Sequence, residues 1–281
     1  MTYPQRKHTE PIVETLDQAR QQTGYGWTHI FRDWIKIVFV SLQRDDESHA
    51  EIVDSYKTDF GDESGQAAIE AYSQGFADLR VAMEGTGADL LGYLFQECGA
   101  ASKRDGQFFT PPNTAKFAAS MVLPESGELA DSAPDNPVRI NDPTCGSGTL
   151  LVAADQRLEE MADSPYSALF YGQDSDLTCA MMTAINFTVR GLPGYVIHGN
   201  SLTMDATAAW KIMPSEGFIE GPIRECEPPT FASRRGDTSP ADPAASASED
   251  DVATRGEVQM DAEISQQTQF SAFTDGASDD P

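Results

Sequence analysis

Val138-Arg139-Ile140-Asn141-Asp142-Pro143-Thr144-Cys145-Gly146-Ser147-Gly148 is the stretch that decides the fold of this chain. Its first four residues are short and β-compatible, Asp142-Pro143 ends the run, and Gly146 and Gly148 flank a turn that leads into the helical pattern Thr149–Met161. The order is strand, glycine turn, helix N-terminus. Glycine is needed there because a Cβ would hold the backbone away from a ligand, and the start of the helix offers unpaired N–H groups to a carboxylate. A Gly-x-Gly turn by itself is shared by many ligand sites, so the sequence around it has to narrow the choice.

Downstream, strand and helix patterns alternate: β-like runs at 169–173 and 195–198, with the helical stretch Leu177–Arg190 between them. This predicts a βαβαβ half of a doubly wound α/β sheet. Upstream come a helix over about 113–123 and a loop rich in Pro, Gly, Ser and Asp over 124–137. Helical periodicity with glycine breaks fills 12–22, 27–44, 65–84 and 88–98, which reads as a small helical domain. For those helices taken alone, an ordinary bundle is a sufficient reading. From about Gly221 the composition turns to Pro, Ser, Ala, Asp and Glu, and Arg224-Glu225-Cys226 reads as non-strand. No fourth strand is expected, and the residues from Gly236 onward are expected to stay disordered. The predicted division is a helical N-terminal domain over 1–100, an α/β core over 101–225 and an acidic tail over 226–281.

The chain of 281 residues is long enough for one large domain or two small ones. Its N-terminus has no apolar signal region, and the longest apolar run, 34–42, is too short to span a bilayer and contains Lys36. Cys98, Cys145, Cys179 and Cys226 lack metal-ligand spacing, so neither a metal site nor a disulfide framework is indicated, and a reducing cytoplasm fits best. A formal net charge of −26 sets a puzzle for any nucleic-acid partner, because phosphate contacts need Lys and Arg. Acid spread along the whole chain with scarce lysine is the surface expected of a protein adapted to molar salt, as in halophilic archaea, where repulsion is screened within a few ångströms. Acidity that mimics DNA is the alternative.

Four segments together carry a resemblance: Gly106-Gln107-Phe108-Phe109-Thr110-Pro111, Asp142 to Gly148, Tyr171-Gly172-Gln173-Asp174, and His198-Gly199-Asn200-Ser201-Leu202. In these the chain resembles the adenine-N6 DNA methyltransferases, above all the methylation subunit of type I restriction-modification systems and its short phage- and plasmid-borne relatives. The resemblance runs over about 85–212. It implies an α/β fold with a Rossmann-like core dependent on S-adenosylmethionine (SAM), preceded by a helical N-terminal domain and, in this chain, incomplete. It also implies SAM as cofactor and DNA as partner.

Site residues follow from the same resemblance. Asp174 takes the place of the acid that accepts hydrogen bonds from both ribose hydroxyls, with Asp176 as its competitor and a solvated loop acid as the alternative for either. Asp142, followed by Pro143, stands where a carboxylate holds the methionine ammonium directly or through water, although a cap for the next helix would also explain it. Cys145, Gly146, Ser147 and Gly148 form the cofactor turn. Asn200 stands where many relatives have Asp, and its side-chain oxygen can still accept from the adenine amino group; a turn-forming Asn is the alternative. Phe108, Phe109, Thr110 and Pro111 resemble the segment that packs over the methionine end of the cofactor. Cys145 invites a covalent mechanism, but inside a glycine turn it reads most simply as a small packing residue, and amino-methylation needs no covalent intermediate.

One motif of the family is missing. Its members hold the flipped target base with Asn-Pro-Pro-Tyr or Asn-Pro-Pro-Phe, and this chain has no Asn-Pro-Pro; Glu227-Pro228-Pro229-Thr230-Phe231 is the nearest string. No catalytic residue is therefore assigned. The expected function is methyl transfer to adenine N6 in DNA, within a restriction-modification system, with a partner polypeptide or a homodimer supplying the absent half-sheet and target recognition. The alternatives are a catalytically silent SAM- or DNA-binding subunit, or an acidic DNA-mimic or anti-restriction protein.

Overall fold

The computed structural model describes residues 6–100, 110–123, 129, 132–162, 166–214 and 221–229. Phe108, Phe109 and the acidic stretch from 230 onward lie outside the described residues.

Five helices come first: α1 (Arg6–Thr23), α2 (Trp27–Gln43), α3 (Asp46–Phe60), α4 (Asp62–Thr86) and α5 (Leu91–Glu97). α2 is their pivot. Its central turns bury Ile30, Phe31, Trp34, Ile35, Ile37, Val38, Phe39 and Val40, so almost its whole circumference is covered. Trp34 can be buried because its indole N–H donates to the Tyr72 carbonyl of α4 at 3.0 Å. The helix the sequence reading lacks is α3, which fully buries a single side chain, Tyr56, and packs Ile52, Val53 and Phe60 only partly buried against the core. It is held also by its cap, where Asp45 accepts from the Ser48 N–H at 3.0 Å, and by the Tyr56 hydroxyl, which meets Asp33 and, at 2.8 Å, Tyr72.

A five-stranded sheet follows in the order β1-β2-β3-β4-β5, formed by Val138–Asp142, Ala168–Asp174, Gly194–Asn200, Asp205–Ile212 and Ile223–Glu225. β1, β2 and β3 are parallel; β4 is antiparallel to β3, and β5 to β4. Helix α6 is Pro112–Val122, α7 (Thr149–Met161) joins β1 to β2, and α8 (Leu177–Arg190) joins β2 to β3. The three parallel strands with their crossover helices are the mononucleotide-binding half of a doubly wound sheet. The chain is thus an α/β protein with a Rossmann-like core behind a helical N-terminal segment.

Two strands correct the sequence expectation. β4 was hidden because Asp-Ala-Thr-Ala-Ala-Trp-Lys-Ile is alanine-rich and its outer half is exposed; it is made by hairpin pairing with β3 and by Trp210, whose ring meets Phe39 of α2 edge-on at 5.1 Å. β5 contains Arg224 and Glu225, and only Ile223 is buried, so its three residues carry no periodicity to read. Neither strand adds to the β1 edge. Among the described residues β1 pairs only with β2.

α8 is buried from Thr178 to Phe187 and lies between the sheet and the N-terminal helices, touching α2, α4 and α5. The core side chains of the helices and of the sheet form one continuous hydrophobic cluster. α6 packs on α7 through Ala115 and Ala119 against Ala153 and Ala154, small residues that let the two helices approach closely.

Candidate functional site

The carboxyl ends of β1, β2 and β3 place Asp142, Asp174 and Asn200 along one rim of the sheet. Register fixes their levels: Asp142 lies opposite Gly172, and Asp174 opposite His198. Between the first two sits the glycine turn. Gly146 and Gly148 have φ of +59° and +88°, left-handed values that a side chain strongly disfavours. Gly148 caps α7, so the first N–H groups of that helix open toward the rim.

The turn is held from below. The Cys145 N–H donates to the Gln173 carbonyl at 2.9 Å, the Gly146 N–H to Asp174 Oδ2 at 2.8 Å, and Thr183 of α8 gives its hydroxyl to the Gly146 carbonyl at 3.0 Å. Gly172 is required by close approach: a Cβ there would stand 3.0 Å from Thr183 Cγ2 and 3.1 Å from Cys145 Sγ. Cys145 is buried, and desolvation, with a smaller push from the carboxylates of Asp174 and Asp142, raises its thiol far above the usual value. It stays a protonated packing group.

Asp142 is the telling residue of the rim. It is 9 % exposed, its Oδ1 accepts from the Thr144 N–H at 3.1 Å, and its Oδ2 is buried with no hydrogen-bond partner among the described residues. Burial first, and then the charge of Asp174, push its pKa up, against the pull of the Thr144 N–H. A buried carboxylate oxygen without a donor is costly unless a ligand supplies one.

Asp174 is half-buried; its Oδ1 accepts from the Asp176 N–H at 2.9 Å, which leaves further lone pairs on both oxygens. Asp176 is the N-cap of α8 and accepts from the N–H groups of Thr178 and Cys179 at 2.8 and 3.2 Å. Asn200 is exposed at the tip of β3, its Oδ1 accepting from the Leu202 N–H at 2.9 Å in an Asx turn. The Ser147 side chain is fully buried and points away from the rim, so it presents a ligand only its backbone. Pro143 is exposed beside Asp142, while Thr110 and Pro111 lead into α6, with the Pro111 carbonyl accepting from the Ala115 N–H at 3.0 Å.

The sequence reading missed a layer beneath the turn. Asp89, between α4 and α5, accepts from Ser147 and Thr149, and Asn186 of α8 bonds both Asp89 and the Ser147 carbonyl. An Asp three residues ahead of Gly92, whose N–H it accepts at 3.1 Å, signals only a local cap.

Residues 87–215 match the family model N-6 DNA Methylase. The chain is 28% identical over 109 residues to the methylase subunit of the type I restriction enzyme HindI of Haemophilus influenzae, covering 37% of this chain and 22% of that one. It is 30% identical over 92 residues to the methylase subunit of the type I restriction enzyme MjaIX of Methanocaldococcus jannaschii, covering 33% and 14%. This chain thus matches less than a quarter of the length of either relative. Among solved structures, the methyltransferase subunit of a type I restriction-modification system from Streptococcus thermophilus superposes with a TM-score of 0.35 at 14% identity, over 71% of this chain and 59% of that one. That likeness is too distant to carry an argument, and the fold stands on the strand order and register above. On the family match and the two relatives together, residues 87–215 are similar to the N-6 DNA methylase family.

Proposed function

We propose that this chain is the SAM-binding part of a DNA methyltransferase that modifies adenine N6, working in a restriction-modification system and completed by a second polypeptide. The single observation that carries the cofactor reading is Asp142 Oδ2, a buried acceptor without a donor at the end of β1 beside a glycine turn. The methionine ammonium is the group that fits it.

The other residues follow along the rim. Of the turn Cys145-Gly146-Ser147-Gly148, the Ser147 N–H is the one left for the methionine carboxylate, together with the first N–H groups of α7, because those of Cys145, Gly146 and Gly148 donate to Gln173, Asp174 and Cys145. Asp174 takes the ribose hydroxyls, its competitor Asp176 being occupied as a helix cap. Asn200 accepts from the adenine amino group, and Phe108, Phe109, Thr110 and Pro111 close over the methionine end. SAM supplies an electrophilic sulfonium methyl. Bound there, SAM would supply that methyl for direct transfer to the adenine amine. Nothing in this step needs a nucleophile from the chain; its residues bind, orient and exclude water.

This sequence carries no Asn-Pro-Pro with which to hold the base. β5 runs parallel to β1, so Glu227-Pro228-Pro229 leaves the sheet at the cofactor end but at the edge opposite β1, four strand spacings or about 19 Å away. It lacks the Asn and stands on the Asn200 side rather than beside the glycine turn. The β1 edge is where a doubly wound sheet continues into its second half. There we place a partner polypeptide or a second copy of this chain, and with it DNA recognition. No described helix is long and apolar enough to cross a membrane, and the cytoplasm is the compartment this reading requires.

Transfer of labelled methyl from SAM to an adenine-containing duplex tests the proposal, with the chain alone and with the product of its neighbouring gene. Transfer only with the partner is the expected result. Robust transfer by the chain alone would refute the split and restore Glu227-Pro228-Pro229-Thr230-Phe231 as a candidate base holder. Binding to a restriction enzyme in place of DNA would favour the anti-restriction alternative.

A further inference from the structure

We propose that Asp89 is a positioning residue for the cofactor turn, so that the corner between α4 and α5 is a working part of the SAM site. The inference rests on the cofactor reading given above. Asp89 is 7 % exposed, and four donors converge on its carboxylate: the Ser147 hydroxyl, the Thr149 hydroxyl at 2.6 Å, Asn186 Nδ2 at 2.9 Å and the Gly92 N–H at 3.1 Å. Only the last is local. The others come from the turn, from α7 and from α8.

In Gly146-Ser147-Gly148 the two glycines supply left-handed backbone and no side chain with which to hold it. Ser147 is therefore the one residue of the three whose side chain can hold the turn. Its hydroxyl is fixed by Asp89, and its carbonyl accepts from Asn186 Nδ2 at 2.6 Å. Together these set the peptide planes on either side of Ser147: one carries the Ser147 N–H toward the ligand side, and the other carries the Gly148 N–H that closes the turn on the Cys145 carbonyl at 2.8 Å. Bonds to a carboxylate are shorter and stronger than neutral ones, and here they act at a site without solvent to compete. A second tie nearby joins Gln156 of α7 to the Gly87 carbonyl at the end of α4. The α4–α5 corner thus grips both the turn and the helix that begins at it.

The prediction separates positioning from mere support of the fold. The turn faces the amino-acid half of SAM, whereas Asp174 and Asn200 face the adenosine half. In the full chain, Asp89→Ala should weaken SAM at least about tenfold, the loss typical of groups that orient a first layer of ligands. It should leave the affinity for 5′-methylthioadenosine, which lacks the amino acid, within about twofold of wild type. Asp89→Asn should recover most of the loss, since its amide oxygen still accepts from Gly92 and Asn186 while the hydroxyls of Ser147 and Thr149 turn to accept from its NH2. Tyr72→Phe, in the distant α3–α4 contact, should change neither affinity. If Asp89→Ala does not fold, Ser147→Ala removes one arm of the clamp and should show the same split. Unchanged SAM affinity, or equal loss for both ligands, overturns the proposal. A wild-type chain that binds neither ligand overturns the cofactor reading itself, and this proposal with it.

Discussion

Replacing Asp142 by Asn should separate what this carboxylate does for the fold from what it does for the ligand. In the free protein the charge is a burden: Oδ2 is buried without a donor, and desolvation raises the carboxyl above its ordinary pKa. Between the unfolded value, about 3.9, and the raised folded value the native state binds more protons than the unfolded one. Stability therefore falls as pH rises through that window and levels off above it. Asn keeps the oxygen that accepts from Thr144 and removes the charge, so the variant should be no less stable than wild type at neutral pH and should lose that acid-side slope. For the ligand the sign reverses. The methionine ammonium favours the ionised form, so SAM binding should strengthen as pH rises through the same window and should release protons there. The lost charge-assisted hydrogen bond is worth about 1.5 to 3 kcal/mol, roughly 10- to 150-fold in affinity. Thermal melts of the free proteins from pH 4 to 7, with SAM calorimetry in two buffers of different ionisation enthalpy, read both effects. An Asn variant that binds SAM as tightly as wild type, or that is clearly destabilised at neutral pH, would refute the reasoning.

Three further outcomes follow from the same geometry. Asp174→Ala removes the acceptor of the Gly146 and Asp176 N–H groups and, on the proposed reading, two charge-assisted bonds to the ribose; SAM affinity should drop by about 2 to 4 kcal/mol, roughly 30- to 1000-fold, by calorimetry. Gly172→Ala drives a Cβ against Thr183 Cγ2 and Cys145 Sγ, which both lie under the turn; the cost should be about 1 to 3 kcal/mol of stability in urea melts, with weaker SAM binding, and a neutral result would show that the turn floor yields. Arg190→Met removes the guanidinium that lies 2.8 Å from the fully buried Asp155, joining the end of α8 to α7; denaturant melts should show a loss of about 3 to 5 kcal/mol, far more than the exposed pair of Arg157 with Glu160 would lose.

What could be read in the sequence was the part set by local chemistry. The turn at Gly146 and Gly148 and the alternation of β-like and helical runs after it are short-range signals, and they located β1, α7, β2, α8 and β3. The missed elements are those whose stability comes from pairing across the chain. β4 exists because β3 offers it an edge and Phe39 offers Trp210 a face; α3 rests on Tyr56, which meets Asp33 and Tyr72, and on Ile52, Val53 and Phe60 packed against side chains of other helices. The site divides in the same way. Asp142, Asp174 and Asn200 end strands that the pattern located, whereas Asp89, Thr183 and Asn186 approach the turn from other elements, and no spacing rule joins residues so far apart in sequence. The unpartnered oxygen of Asp142 is likewise a property of burial, which only the fold reveals.

The central claim is that the rim of β1, β2 and β3 holds SAM, and titration calorimetry of the wild-type chain with SAM tests it most directly. The account predicts saturable binding at one site per chain, displaced by S-adenosylhomocysteine and lost together with Asp142 and Asp174 in the double variant Asp142→Asn/Asp174→Ala. No heat of binding at millimolar SAM, or binding that the double variant retains in full, would contradict it.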